Sequence, residues 1–248
     1  MYTQEVTVKN ANLATFYYQF TAAESGQYLT SVFRDGRSAY LRIFDAEGSL
    51  IAGSENTPVW SLTAELEAGK TYYLAVFANY WGADAIDLTL TVNRAVSQGD
   101  YIGILRGDDS LQLVEYTGQA VSEITVPETL GGYAVKSIGR ELFGDKRYGL
   151  TSVTLPKGVT EIAYMAFAYC HSLQKISIPD ALQEIGQSAF LNCYNIEKIC
   201  LPDTLITIGD NAFGSAWGTA FFFAGSEEQW NAVAIGSGNE PLAGSAAC

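Results

Sequence analysis

Three consecutive blocks, LTSVTLPKGVTEIAYMAFAYCHS (residues 150–172), LQKISIPDALQEIGQSAFLNCYN (173–195) and IEKICLPDTLITIGDNAFGSAWG (196–218), align without a gap at a period of 23 residues. Four ladders fix the register: Pro156, Pro179 and Pro202; Ile162, Ile185 and Ile208; Ala166, Ala189 and Ala212; Phe167, Phe190 and Phe213. A fixed period of this size marks a stacked repeat, in which one supersecondary unit recurs and each copy touches only its neighbours. A divergent earlier copy, SEITVPETLGGYAVKSIGRELFG (122–144), keeps Pro127, Ile138 and Phe143, with a spacing of 11 instead of 6 between proline and isoleucine, read as a loop insertion.

Within each block the period of a strand turns Leu150, Val153 and Leu155 one way and leaves Ser152 and Thr154 on the opposite face. Stacked copies then make a parallel sheet. Proline ends the strand, a second short aliphatic segment turns the corner, and Ala-Phe from a brief helical turn fills the interior.

Working outward, the first 94 residues lack the period and hold 15 of the 31 aromatic residues. ATFYYQF, QYLTSVF, AYLRIFD, KTYYLAVF and IDLTLTV alternate, separated by the turn signals AESG, RDGR, AEGS and LEAG, which indicates an antiparallel β-sandwich. Alternation assigns Phe16, Tyr18, Phe20, Leu41, Ile43, Tyr72, Leu74, Val76, Leu88, Leu90 and Val92 to its core, and turns Tyr17, Tyr40, Tyr73 and Phe77 outward. The organisation expected is mainly β: a sandwich over 1–94, a polar linker over 95–100, and a solenoid over 101–248.

The chain has 248 residues, 48% hydrophobic and 17% charged, with a net charge of −13. Such apolar content argues for a folded chain, and the negative charge argues against nucleic acid, since that affinity comes from neutralising phosphates. No apolar run approaches the roughly 18 residues of a membrane helix, so no membrane insertion is expected. The Met1–Glu5 start has no basic-then-apolar leader segment.

The repeat pattern resembles the BspA-type leucine-rich repeat of surface proteins, and Cys170 and Cys193 keep its cysteine position. YIGILRGDDSLQLVEY (101–116) is similar to the hairpin that caps such solenoids. FFFAGSEEQWNAVAIGSGNEPL (221–242) is similar to their terminal cap, an aromatic strand and a helix opened by a Ser226/Gln229 capping box, with Trp230 and Val233 closing the core. AGSAAC stands where the family adds a last strand. The resemblance implies an extracellular or cell-surface protein that binds other proteins, host matrix or neighbouring cells, without catalytic activity. The natural binding face is the open sheet, whose outward positions are Glu123, Thr125, Ser152, Thr154, Lys175, Ser177, Lys198 and Cys200.

Residues 16–92 resemble the bacterial pre-peptidase C-terminal domain, through Tyr18-Gln-Phe20, Glu24-Ser-Gly26, Leu41 to Asp45 with Gly48, and Leu66 to Leu74. This family accompanies secreted enzymes and surface proteins. Trp60, Tyr80 and Trp81 would offer flat rings for a sugar, making glycan a second class of partner; packing against neighbouring loops is the plainer use of such rings.

Chemistry has little to work with. His171 is the only histidine, and in the family pattern Cys170 points inward while the next residue points to solvent, so the two make no dyad. Cys170, His171 and Cys193 do not supply zinc spacing. Cys170 and Cys193 lie one repeat apart, which allows either a disulfide or, preferably, two buried thiols. Cys200 faces outward and Cys248 is terminal. Carboxylates are plentiful, yet none is marked as a catalytic pair, and the Asp45-x-Glu47-Gly48 and Asp108-Asp109 turns fall short of a calcium loop. No phosphate-binding glycine motif occurs. No cofactor, metal or enzyme activity is expected.

Overall fold

Alternating apolar residues bury one face of each strand, and a sheet with one apolar face must find a second layer. In the computed structural model, which describes residues 6–8, 15–33, 40–54, 61–77, 88–143, 148–244 and 246–247, the chain is mainly β, with 44% strand and 6% helix. It divides into two units, residues 1–96 and 97–248.

The first unit contains β1 (Val6–Val8), β2 (Thr15–Thr21), β3 (Gly26–Phe33), β4 (Tyr40–Asp45), β5 (Leu50–Gly53), β6 (Ser61–Leu66), β7 (Thr71–Phe77) and β8 (Leu88–Gln98). All pairings are antiparallel: β1 and β3 flank β8 and β6 joins β3, while β2 and β4 flank β7 and β5 joins β4. Phe20, Leu41, Ile43, Tyr72, Leu74 and Val76 of one sheet share a core with Tyr28, Val32, Leu66, Leu90 and Val92 of the other. Of the positions assigned outward, Tyr17 is 67% exposed, whereas Tyr40, Tyr73 and Phe77 are half-buried. Tyr18, assigned to the core, packs at its margin. The side chains of Phe16 and Leu88 lie outside the described ones. The expected linker over 95–100 is mostly strand, because Val92, Asn93 and Ala95 stay buried and β8 runs unbroken to Gln98; only Gly99–Asp100 forms a turn.

The second unit opens with the expected antiparallel hairpin, β9 (Tyr101–Leu105) and β10 (Leu111–Tyr116). Then come β11 (Glu123–Thr125), β12 (Thr129–Leu130) and β13 (Tyr133–Ile138). The five-residue insertion expected as a loop is a second hairpin, in which β12 pairs antiparallel with β13. Gly131 and Gly132, at φ 58 and 87, supply its two-residue turn, the geometry that matches the twist of the flanking strands.

From residue 111 the chain winds a β-solenoid of about 5 turns. Each regular rung gives one strand to each of two parallel stacks: β14 (Ser152–Thr154) and β15 (Glu161–Ile162), β16 (Lys175–Ser177) and β17 (Glu184–Ile185), β18 (Lys198–Leu201) and β19 (Thr207–Ile208). The last turn holds β20 (Ala220–Phe223), α1 (Glu227–Ala232), β21 (Ala234–Ile235), a 3-10 turn at Glu240–Gly244, and β22 (Ala246–Ala247) beside β20. One stack runs β13, β15, β17, β19, β21 in parallel register, aligning Ile138, Ile162, Ile185, Ile208 and Ile235.

The phenylalanine ladder is a column through the interior. Phe143, Phe167, Phe190 and Phe213 follow one another at centroid separations of 5.4, 5.3 and 5.2 Å; Phe190 lies within 5° of parallel to both Phe167 and Phe213, and Phe143 is tilted 33° from Phe167. Tyr116 and Phe221 close the two ends edge-on, at 5.8 and 5.0 Å. The segment carrying these rings is not the brief helical turn expected from sequence. It is a run of i to i−3 turns, Ala168 N–H to Met165 O and Cys170 N–H to Phe167 O, with a left-handed residue before each Ala-Phe: Met165, Ser188 and Asn211, at φ 53, 56 and 53. Tyr169, Asn192 and Ser215 repeat this four residues later. Left-handed backbone is unfavourable for residues with a Cβ. It persists here because it aims amides at the next rung: Met165, Phe167 and Tyr169 donate to the carbonyls of Gln187, Ala189 and Leu191 at 3.1, 2.8 and 2.8 Å.

Close stacking explains the glycines that follow the isoleucine ladder. A Cβ on Gly209 would press into the backbone of Gly186 and Gln187. Gly209→Ala is therefore expected to cost about 1–3 kcal/mol through overpacking against backbone that cannot rotate away. Ala163 holds the same place one rung earlier than Gly186, so Ala163→Gly should change stability by less than about 1 kcal/mol. Urea unfolding of the two variants checks both; equal midpoints would contradict the packing argument.

Candidate binding site

The outward sheet positions form two columns on three paired strands. Glu123 aligns with Ser152 and Ser152 with Lys175; Thr125 aligns with Thr154 and Thr154 with Ser177. All are exposed except Ser152, which is half-buried. The step from Ser152 to Lys175 and from Thr154 to Ser177 is one 23-residue period, whereas the step from Glu123 to Ser152 and from Thr125 to Thr154 is 29 residues, because the divergent first copy is longer.

Lys198 and Cys200 do not continue the same ladder. Among the described residues, β18 pairs with β20, and β16 ends its own three-stranded sheet. One contact bridges the gap at its N-terminal side, Glu197 N–H to Gln174 O at 3.1 Å. On the opposite side of β16, toward β14, the Ser177 hydroxyl accepts the Leu155 N–H at 2.9 Å. Ile176 and Ile178, whose counterparts Val153 and Leu155 are buried, are half-buried there. The face is thus a mixed-charge patch on β11, β14 and β16, then a second patch where the Lys198 ammonium lies 4.7 Å from the centre of the Phe222 ring. Alternation in AFFF turns Phe222 outward.

The other stack faces a shallow groove of about 240 Å³ lined by Glu161, Tyr164, Glu184, Gln187 and Thr207. Arg106 pairs with Glu161 at 2.7 Å, and the Arg140 guanidinium covers the Tyr164 ring at 4.6 Å. Its floor is backbone of the isoleucine ladder and the adjoining glycines.

The cysteines separate by environment. Cys170 and Cys193 are free and buried, and Cys200 is free and exposed. The Cys193 thiol donates to Phe167 O at 3.0 Å; its hydrogen bond with Cys170, with burial second, pushes its pKa up, which keeps it protonated and unreactive. The His171 ring lies against Tyr194, at 5.1 Å, on the outside of the turn. The acidic turns are occupied by their own backbone: Asp45 accepts from Glu47 and Ser49 N–H at 3.1 and 2.7 Å. Asp108 accepts the Ser110 hydroxyl at 2.6 Å, the main cause that holds its carboxyl below the usual range. Among the described residues no group of three His, Cys, Asp or Glu could hold a metal ion. Trp60, Tyr80, Trp81 and Cys248 lie outside the described residues.

One surface feature was not read from the sequence. Tyr148, His171, Tyr194 and Trp217 are spaced by 23 residues, so they occupy the same corner of successive rungs. The period itself was the available signal. It is obscured because the residue type changes at each step and the position falls in a turn, where no strand or helix pattern draws attention to it.

These features define a leucine-rich-repeat solenoid with a hairpin cap and a helical cap. Residues 115–229 match the BspA type leucine rich repeat region in 6 copies, so this segment is a BspA-type repeat region. Similar solved structures include a leucine rich repeat protein of T. pallidum, at 29% identity and TM-score 0.51, covering 57% of this chain and 64% of that one. A leucine-rich repeat protein of Bacteroides capillosus has 26% identity and TM-score 0.48 over 53% of this chain and 99% of its own. A leucine rich cell surface protein of Faecalibacterium prausnitzii has 24% identity and TM-score 0.44 over 58% and 51%. The chain thus spans less than two thirds of the T. pallidum and F. prausnitzii proteins. No curated protein matches it. No helix among the described residues is long and apolar enough to cross a membrane.

Proposed function

We propose that the chain is a non-enzymatic binding protein of the cell surface or extracellular space, which presents the outward sheet face of its solenoid to a protein partner. The observation that carries this is the two-column row Glu123-Ser152-Lys175 and Thr125-Thr154-Ser177, held in register by parallel pairing. A row of short polar side chains on a rigid sheet is preorganised, so little ordering entropy opposes docking. Lys198 and Cys200 extend the surface past the break, and the BspA-type repeat region supports the same role. The N-terminal sandwich is read as an accessory module of the pre-peptidase C-terminal type. Its alternative use, glycan binding by Trp60, Tyr80 and Trp81, has the exposed ring of Tyr17 in its favour.

The test is a biosensor panel of purified extracellular-matrix proteins against the whole chain and its Lys175→Glu/Lys198→Glu variant. Both lysines are exposed, so the fold should be indifferent to the change, while binding to a panel member should weaken by roughly tenfold or more, the size of losing complementary charge across an interface. Equal affinity of the variant would remove this face from the interface.

A further inference from the structure

The outward sheet face is paired on either side of one rung junction and open at it. β11 and β14 align over three residues, β14 and β16 over three, and β18 and β20 over four. Between β16 and β18 no strand pairing forms among the described residues, whereas the isoleucine stack runs unbroken past the same junction. The Val126 N–H donates to Thr154 O at 2.9 Å; by register the same bond two rungs later would run from Ile178 N–H to Cys200 O, and it is absent. Ile176 and Ile178 on one lip are half-buried. Their counterparts Val153 and Leu155 on one side, and Ile199 and Leu201 on the other, are at most 5% exposed.

Away from this face the same two rungs are held as firmly as any others. Phe190 stacks on Phe213 at 5.2 Å, and the Gly209 N–H to Ile185 O and Phe190 N–H to Ala212 O bonds are both 2.7 Å. Only the edges of the gap are tied. Before it, Glu197 N–H donates to Gln174 O at 3.1 Å. After it, the Thr204 hydroxyl lies 2.7 and 2.8 Å from the carbonyl oxygens of Asp180 and Leu182.

We propose that this junction is a conformational seam: the lips Ile176–Ile178 and Ile199–Leu201 part and close, while the phenylalanine column and the isoleucine stack keep the rungs together. A solenoid is held by contacts between neighbouring rungs, so local opening concentrates where one junction has lost its strand pairing. Opening admits water to Ile199 and Leu201, which have no shield on that side but the lip of β16. Lys175 and Lys198 stand on opposite lips, so the seam also sets the distance between the two cations of the outward face. The seam belongs to the solenoid itself and does not depend on the partner proposed for that face.

The test compares Val153→Cys with Ile199→Cys in the whole chain, each combined with Cys200→Ser. Both positions are 1% exposed, so a rigid solenoid would shield the two thiols equally. Alkylation by iodoacetamide, located by peptide mass spectrometry, should be about tenfold or more faster for Ile199→Cys, and that rate should change little in urea below the unfolding transition, as local opening requires. Amide exchange of the unmodified chain, followed by NMR, gives a second readout that does not depend on the variants folding. Glu197 and Gln174 N–H hold equivalent bonds one rung apart, at 3.1 and 2.9 Å. Glu197 should exchange about tenfold faster than Gln174, with Gly209 as slow as Gly186 because the isoleucine stack stays closed. Equal alkylation of the two thiols, or equal exchange of Glu197 and Gln174, would overturn the seam. Exchange at Gly209 as fast as at Glu197 would overturn it too, since the C-terminal rungs would then detach as a whole.

Discussion

Phe190→Ala is expected to lower the stability of the chain by about 3–5 kcal/mol, the range for deleting a buried phenylalanine ring. Phe190 is fully buried, with 0% exposure, and stacks on Phe167 at 5.3 Å and on Phe213 at 5.2 Å. The surrounding rungs cannot collapse into the space, because Phe190 N–H is fixed to Ala212 O and Phe167 N–H to Ala189 O, at 2.7 and 2.8 Å. The cavity therefore stays open, which is the costly case. A solenoid's stability is close to a sum of rung and interface contributions, so loss of a middle ring weakens two interfaces at once. Urea unfolding followed by circular dichroism measures the effect. A loss below about 1 kcal/mol would mean that the column contributes little beyond area burial.

Asn239→Ala is expected to cost about 2–4 kcal/mol, from buried polar groups left without partners. Ala189 and Ala212 supply backbone carbonyls to the Phe167 and Phe190 amides of the preceding rungs. Asn239 takes that place with its side chain: its Oδ1 accepts Phe213 N–H at 3.0 Å, and its amide donates to Gly209 O and Gly236 O at 2.9 Å each. The residue is 7% exposed, so water does not replace these bonds. Asn239→Asp retains the acceptor and loses the donors, and its unfolding midpoint should fall between wild type and alanine. If the alanine variant unfolded within about 0.5 kcal/mol of wild type, the cap would owe nothing to this side chain.

The two predictions concern features that differed in legibility. Phe190 is visible in the sequence because the interior of a solenoid demands the same residue type at every period, and identity across Phe167, Phe190 and Phe213 survives inspection. The capping box at Ser226 and Gln229 was equally legible, since both of its reciprocal bonds form as its spacing requires, at 2.8 and 3.2 Å. Asn239 was not, because a cap acts once and leaves no repeat. The same reason hides the break between β16 and β18, which occurs at one rung only among the described residues. Met165, Ser188 and Asn211 share a left-handed backbone but no side-chain character, so the conformation is set by the cross-rung hydrogen bonds and not by local preference. On the outward sheet face, Glu123, Thr125, Thr154, Lys175 and Ser177 are exposed as alternation expects, while Ser152 is half-buried. The aromatic corner was missed because its signal is periodic without being uniform.

The central claim is that the outward face of β11, β14 and β16, continued by β18, is the surface that meets a protein partner. Hydrogen exchange of the whole chain, with and without each matrix protein of the biosensor panel, tests this most directly. The account predicts slowed exchange in peptides that contain Glu123–Thr125, Ser152–Thr154, Lys175–Ser177 and Lys198–Cys200, with residues 15–96 unchanged. Slowed exchange confined to residues 15–96, or to the groove around Glu161 and Glu184, would contradict it.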